Sequence, residues 1–126
     1  ATTRDYARFG QLYAQDGVWK GEHLLPEGWV TQASQPNAPF QEPGLDAPYA
    51  PEGYGLHFWV PPDADGEFTA QGVYGQYIWI DRTRDVVIVQ TAGDPGWGGR
   101  REQAFAVFRA LAEAASAPTR FAEAAP

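Results

Sequence analysis

The apolar residues at the start of the chain recur at helical spacing. Four of them lie on one helix face, preceded by an acidic residue and followed by a glycine: Tyr6, Phe9, Leu12 and Tyr13, between Asp5 and Gly17. This spacing predicts an amphipathic helix over residues 3–15, with Thr2 or Thr3 as its N-cap. After a glycine-containing tight turn, Pro26 at a first helical position predicts a second helix over residues 26–34. Residues 1–34 are therefore predicted to form a helix pair.

The composition changes over residues 35–53, where five of the eleven prolines stand among small and polar residues. Prolines at this density disfavour a regular helix or a central strand, so we expect a long irregular loop. Loops of this length inside a domain are often functional or partner-facing, and the sequence leaves that question open.

The second half of the chain has the pattern of β-structure. Three runs rich in aromatic and β-branched residues, 54–60, 68–80 and 86–92, are separated by short turns. Short connections favour neighbouring strands, so residues 54–92 are predicted to form a three-stranded antiparallel meander. Residues 100–116 combine helix formers with an apolar face and predict a C-terminal helix that covers this sheet. The predicted fold class is α+β, with a frayed tail over residues 117–126.

Composition and charge exclude several kinds of partner. The 126 residues fit one domain, and five Trp, six Tyr and seven Phe without Met make rigid rings its main apolar material. A net charge of −7 repels phosphates, so we expect no nucleic-acid partner. No apolar run approaches the roughly 20 residues that span a bilayer, so we expect no membrane partner, and the start lacks a signal-peptide pattern. The absence of cysteine excludes disulfides and thiol chemistry, and the compartment stays undecided.

The most distinctive stretch is FTAQGVYGQYIWID, residues 68–81. Gly72 and Gly75 allow another molecule to approach the backbone closely, as happens where a sheet edge donates N–H groups to a ligand. The same glycines are also typical of a bulge or a hairpin corner. The pattern therefore favours one wall of a binding site and leaves a purely structural role open.

Several segments, taken in order, resemble a known family. They are ATTRDYARFGQLYAQDGVWKGEHLLPEGWV, YGLHFWV, AQGVYGQYIWID and DVVIVQTAG, followed by the closing helix. Together they resemble the C-terminal part of serine hydrolases related to class C β-lactamases and penicillin-binding proteins. Within that family, the 6-aminohexanoate-oligomer hydrolases and β-lactamase-fold esterases are most similar. The resemblance implies a partial β-lactamase/transpeptidase-like fold over residues 1–126 and a small-molecule ester or amide substrate, without a cofactor.

The resemblance also implies roles for one stretch. The family uses an S-x-x-K motif, a Y-x-N type motif and a K-T-G type strand beside the cleft. Only the strand has a counterpart here, in residues 70–72, which lack the lysine and threonine that help β-lactamases hold a carboxylate. The next backbone N–H, that of Val73, would then be one oxyanion-hole donor. The implied substrate contacts are Ala70, Gln71, Gly72, Tyr74 and Gly75.

No residue of the chain fits the nucleophile of such a site. Neither serine opens S-x-x-K, because Ser34 is followed three positions later by Asn37 and Ser116 by Thr119. No tyrosine has Asn two positions later, and Ala1 does not provide an N-terminal nucleophile. We therefore expect the chain alone to be catalytically inactive. Its start on a helix indicates a piece of a hydrolase whose N-terminal portion carries serine, lysine and tyrosine.

Other candidate residues have ordinary structural explanations. His57 is predicted to be a hydrogen-bonded histidine within a strand, and His23 an exposed residue in a turn. The histidines lack metal-binding spacing and the acidic residues at 63, 65 and 67 lack the other ligands of a calcium loop, so we expect no metal. Large rings on strands are usually core residues, although a substrate trough stays open for Trp59, Trp79 and Trp97.

Three functions are compatible with these observations. The leading hypothesis is the C-terminal part of a serine hydrolase for esters or short amides, which supplies the oxyanion-hole strand. The alternatives are a non-catalytic binding module with an aromatic and glycine-rich ligand surface, and a half-domain that folds only with a partner chain. An open apolar sheet edge would favour a missing partner, whereas a covered sheet would favour an independent module.

Overall fold

The computed structural model describes residues 1–44 and 51–117. Within these ranges the regular elements are α1 (Thr3–Ala14), β1 (Val18–Trp19), β2 (Glu22–His23), α2 (Trp29–Ala33), β3 (Gly53–Tyr54), β4 (Trp59–Val60), β5 (Glu67–Gly72), β6 (Gln76–Asp81), β7 (Val86–Gln90) and α3 (Arg101–Ser116). Short 3-10 helices lie at Pro39–Gln41 and Trp97–Arg100.

Helix α1 begins with a capping box. The hydroxyl of Thr2 accepts a hydrogen bond from the backbone N–H of Asp5 at 3.2 Å, and the Asp5 carboxylate accepts one from the backbone N–H of Thr2 at 2.8 Å. These bonds satisfy backbone N–H groups that the start of a helix leaves without partners. The hydrogen bonds that Thr2 donates to the Asp5 carboxylate lower the pKa of Asp5. The predicted first helix and its Thr2 cap are confirmed.

The segment after α1 differs from the prediction. In place of a simple tight turn, β1 and β2 form a two-stranded antiparallel hairpin, so His23 lies exposed in a strand. The second helix is only the five residues of α2, because Gly28 has a left-handed φ of 79° that interrupts a helix. The N–H of Trp29 donates to the carbonyl of Pro26 at 3.1 Å, which places Pro26 in a turn before α2.

The main sheet has five antiparallel strands in the order β3-β4-β5-β6-β7. Strands β5 and β6 pair from Glu67↔Asp81 to Gly72↔Gln76, and β7 continues the sheet beside β6. The α and β elements agree with the predicted mixed class, but the prediction of three strands is wrong.

Positive backbone angles explain the two additional strands. His57 has a φ of 66° and lies exposed in a turn between β3 and β4, so the run 54–60 reverses direction and His57 is not in a strand. Tyr74 and Gly75 have φ values of 65° and 83°, which divide the run 68–80 into β5 and β6. Consecutive positive φ angles are typical of tight hairpin turns.

Two predicted irregular segments lie partly outside the described residues. The loop predicted over residues 35–53 contains the 3-10 helix Pro39–Gln41 and the start of β3, and its residues 45–50 are not described. Of the predicted tail over residues 117–126, only residue 117 is described.

The sheet is covered on both faces, since alternate residues of a strand face opposite sides. Helix α1 lies on one face, where an added Cβ at Gly10 would be 2.6 Å from Val87 and 3.0 Å from Ile78. This close approach brings α1 onto a core cluster formed by Tyr13, Val30, Ala33, Phe58, Phe68 and Ile80.

Helix α3 covers the other face, as predicted for a C-terminal helix. Tyr77 and Trp79 of β6 pack against Phe105 and Phe108 of α3, with ring centroids 5.1–6.1 Å apart. Trp79 is fully buried and is therefore a core residue and not part of a trough.

Arginines of α3 also neutralise two buried carboxylates. Arg101 pairs with Glu52 and Arg109 with Glu67, each at 2.9 Å, and both carboxylates are almost completely buried. These pairs attach the helix to the sheet and to the segment before β3.

Strand β7 lies at one edge of the sheet. Its residues 86–89 are Val, Val, Ile and Val, all partly exposed, without the lysine or proline that often protects an edge. Two apolar residues of α3, Val107 and Leu111, are about half exposed. The described part of the chain therefore has an open apolar edge, the feature expected of a missing partner.

Candidate functional site

The candidate site lies where β5 turns into β6. Residues 73–75 form the tip of this hairpin, between the closing pair Gly72↔Gln76. Val73 and Tyr74 are 63% and 54% exposed, whereas Gly75 is buried. A molecule can therefore reach the backbone on this side.

A cleft of about 400 Å³ lies beside the hairpin, on the sheet face that carries α1. Its wall consists of Tyr6, Ala70, Gln71, Gly72, Gln76, Tyr77, Ile78, Val89, Gln90 and Thr91. None of these side chains carries a charge at neutral pH, and the volume is within the range of small-molecule sites. The described wall therefore fits an uncharged part of a ligand.

The outer side of β5 is partly free. Strand β4 pairs with β5 only at Trp59↔Thr69, so within the described ranges Ala70, Gln71 and Gly72 have no strand partner on that side. Backbone groups at such an edge hydrogen bond readily to an extended ligand. The three residues thus combine an unpaired edge with a position in the cleft wall.

The structure brings together some of the predicted site residues. Ala70, Gln71 and Gly72 line the cleft, and Val73 and Tyr74 are exposed at the tip beside it. Gly75 is at the same tip but is buried. Tyr6 of α1 also lines the cleft, and no local signal in the sequence indicated this because Tyr6 is more than sixty positions from β5.

A brace from the end of β7 and the segment after it supports the hairpin tip. The ladder between β6 and β7 ends at Tyr77↔Gln90. Beyond it, the side chain of Gln90 donates to the carbonyl of Gly75 at 3.0 Å, and the N–H of Asp94 donates to the carbonyl of Tyr74 at 3.0 Å. Sequence reasoning missed this brace, because its two sides are 15 to 20 positions apart.

Four buried side-chain atoms have no hydrogen-bond partner in the described residues: Gln71 Nε2, the Tyr77 hydroxyl, Trp79 Nε1 and Glu52 Oε2. Gln71 and Tyr77 are cross-strand partners. Burial raises the pKa of Tyr77, because its anion would lose hydration. Tyr77 is therefore neutral at physiological pH.

The other aromatic candidates do not line the cleft. The Trp59 ring packs on Tyr54 with centroids 4.7 Å apart, and Trp97 begins the 3-10 helix after β7. Neither is among the residues that line the cleft.

Two other features, a metal-binding cluster and a membrane-spanning helix, are absent from the described residues. Residues 1–44 and 51–117 contain no group of three or more His, Cys, Asp or Glu side chains close enough to share a metal ion. In the same part of the chain, no helix has the length and apolarity to cross a bilayer.

Comparison with known proteins identifies the family. The family model described as Beta-lactamase matches residues 1–112. The chain belongs to the beta-lactamase family. The resemblance of the opening helix, the AQGVYGQ stretch and the closing helix to this family is thereby confirmed.

Relatives within the beta-lactamase family carry more specific names. The chain is 28% identical over 96 residues to a 6-aminohexanoate-dimer hydrolase of Paenarthrobacter ureafaciens, covering 75% of this chain and 24% of that protein. Among solved structures, a putative 6-aminohexanoate-dimer hydrolase from Bacillus anthracis matches with a TM-score of 0.75 and 27% identity, over 95% of this chain and 30% of that one. The chain thus spans less than a third of the length of these relatives.

Proposed function

We propose that this chain is the C-terminal part of a serine hydrolase that cleaves esters or short amides similar to 6-aminohexanoate oligomers. Its contribution is the oxyanion-hole strand and part of the acyl pocket. The observation that carries the proposal is the position of residues 70–72, which line an uncharged cleft and have a free strand edge in the described chain. Because the chain belongs to the beta-lactamase family, we infer that a carbonyl substrate would lie beside this strand.

The backbone N–H of Val73 has the central chemical role. Attack of a serine oxygen on the substrate carbonyl produces a negative oxygen, which a backbone N–H stabilises by a charge-assisted hydrogen bond. Gly72, just before Val73, has no side chain to obstruct the substrate. The tetrahedral intermediate then expels the alcohol or amine, which takes a proton, and water later hydrolyses the acyl-enzyme.

The residues of the wall favour an uncharged acyl group. The resemblance implies that Ala70 and Gln71 replace the lysine and threonine of β-lactamases, and no cation lines the described cleft. A substrate carboxylate here would lose hydration without gaining a cationic partner, which costs free energy. Neutral esters and internal amide bonds are therefore preferred to β-lactams.

The N-terminal portion of the same hydrolase is the proposed partner and would supply serine, lysine and tyrosine. The open edge of β7 supports this, because its backbone groups and apolar side chains are available to another strand. The exposed Val107 and Leu111 of α3 provide a second apolar surface on the partner side. Helices α1 and α3 cover both faces of the sheet, as expected of an independent module, but the open edge of β7 favours a missing partner.

Hydrolysis assays test the proposal. We expect no hydrolysis of a p-nitrophenyl ester or a short aminohexanoate oligomer by this chain alone, and hydrolysis once the N-terminal portion is added. In the complete hydrolase, Val73→Pro removes the N–H and should lower kcat by roughly 10²–10³-fold, whereas Val73→Ala keeps the N–H and should have little effect. Serine-type turnover by the isolated chain, or full activity of Val73→Pro, would refute the proposal.

A further inference from the structure

The side chain of Gln76 joins the hairpin tip to the segment after β7. Its Nε2 donates to the carbonyl of Ala92, and its Oε1 accepts from the N–H of Ala92 at 3.2 Å. One amide group thus satisfies both backbone groups of one residue, as a neighbouring strand would. Only one orientation of the amide satisfies both bonds, so the clamp requires a side chain that both donates and accepts.

The clamp lies where the backbone ladder between β6 and β7 has ended. Tyr77↔Gln90 is the last backbone pair, and Gln76 is the next residue toward the tip. Gln76 is also the cross-strand partner of Gly72, the residue before Val73. A shift of Gln76 would therefore move Gly72 and the Val73 N–H relative to the rest of the sheet.

We propose that Gln76 is a positioning residue that fixes the Val73 N–H for oxyanion stabilisation through its clamp on Ala92. This inference rests on the proposed function of Val73. Val73 and Tyr74 are exposed at the tip, so its position depends on this clamp and on the brace bonds from Gln90 and Asp94. Misplacing a catalytic group by about 1 Å can lower a rate by roughly a hundredfold.

Three variants of the complete hydrolase test the clamp. Gln76→Met keeps the approximate side-chain volume but removes both hydrogen bonds. Gln76→Glu can form the clamp only when its side chain is protonated. A protonated carboxyl group donates and accepts like an amide, whereas a carboxylate only accepts. Gln103→Met, on the exposed surface of α3, is the matched control.

Two measurements are made on each variant. Hydrogen exchange, followed by mass spectrometry on peptides that span residues 70–76, reports the mobility of the tip. Steady-state hydrolysis of a p-nitrophenyl ester reports kcat and KM separately. For Gln76→Met we expect exchange at the tip to accelerate about tenfold, from the loss of two hydrogen bonds. We expect kcat to fall about 10- to 100-fold with a much smaller change in KM.

The pH dependence of Gln76→Glu distinguishes positioning from simple filling of space. Relative to the wild type at each pH, tip protection and kcat should be nearly normal near pH 4 and lost by pH 7, as a glutamate with an ordinary pKa of about 4.3 ionises. The other titratable groups nearby are the cleft residues Tyr6 and Tyr77, Tyr74 at the tip, and Asp94, which is paired with Arg100 at 2.9 Å. All of them are present in both proteins, so a pH-dependent difference between variant and wild type reports on position 76.

The possible outcomes are distinct. Faster tip exchange with lower kcat in Gln76→Met, together with low-pH recovery in Gln76→Glu, supports the proposal. Unchanged tip exchange in Gln76→Met, faster exchange without loss of kcat, or a Gln76→Glu ratio independent of pH overturns it. Failure of the Val73 function is recognised separately, since Val73→Pro would then remain active whatever the exchange data show.

Discussion

The ion pair between Glu67 and Arg109 allows a sharp test of how α3 is held on the sheet. Glu67 is 4% exposed, and its carboxylate accepts a hydrogen bond from Arg109 Nε at 2.9 Å and another from the N–H of Asp65. Arg109 also donates to the carbonyl of Pro62 at 3.3 Å and lies 5.8 Å from the centre of the Trp79 ring. Substitution Arg109→Met removes the charge and keeps much of the apolar stem.

The expected loss of stability follows from burial. Removing one partner of a buried ion pair typically costs about 3–5 kcal/mol, because the other charge stays buried without compensation. The Arg109 side chain is 37% exposed, so solvent screens part of the interaction. We therefore expect Arg109→Met to lower the free energy of unfolding by about 2–3 kcal/mol.

Urea unfolding followed by tryptophan fluorescence measures this loss. The double variant Glu67→Gln/Arg109→Met removes both charges and should recover part of the lost stability, because no uncompensated carboxylate remains. The matched control is Arg8→Met, whose pair with Asp5 is exposed and screened by solvent, so its loss should change stability little. If Arg109→Met is as stable as Arg8→Met, the buried pair does not hold α3 on the sheet.

Two further predictions concern close packing and a buried hydroxyl. At Gly55, an added Cβ would lie 2.1 Å from the carbonyl oxygen of Ala33, which accepts a hydrogen bond from the N–H of Leu56. Because this oxygen cannot move without disturbing that bond, Gly55→Ala should lower the free energy of unfolding by roughly 1–3 kcal/mol or more. Gly99→Ala, with open space around the added Cβ, should be nearly neutral in the same urea assay, and equal effects would contradict the close contact. Burial raises the pKa of Tyr77 in the folded chain above its ordinary value of about 10. The stability that the neutral side chain provides is therefore complete below that ordinary pKa and is lost as the pH rises through the pKa of the folded state. Urea unfolding at pH 8 to 11 should show a smaller decline in Tyr77→Phe than in the wild type, and parallel declines would refute the assignment.

The two faces of the sheet have different functions in this interpretation. On the α3 face, aromatic rings and buried ion pairs stabilise the sheet. On the α1 face, the helix leaves room near the ends of β5, β6 and β7, where the cleft lies. Small residues at positions 70 and 72 leave the cleft open. The α1 face of the sheet is therefore accessible near these residues, whereas the α3 face is closely packed.

The sequence by itself determined the elements that depend on local patterns. Helix α1 follows from its apolar spacing and its capping box, and α3 from a run of helix formers with Phe105 and Phe108 on one face. The family was also accessible, because AQGVYGQ and the opening helix carry the resemblance. These signals are local, since each arises from residues within a few turns of one another.

Only the tertiary structure decided the features that depend on contacts between distant segments. The run 68–80 has continuous strand propensity, and the reversal at Tyr74 and Gly75 depends on pairing with β7 as well as on local backbone angles. Tyr6 reaches the cleft because α1 packs across β6 and β7, and Gln76 meets Ala92 because β7 ends beside it. Residue propensity describes neighbours along the chain, whereas the cleft and its brace arise from neighbours in space.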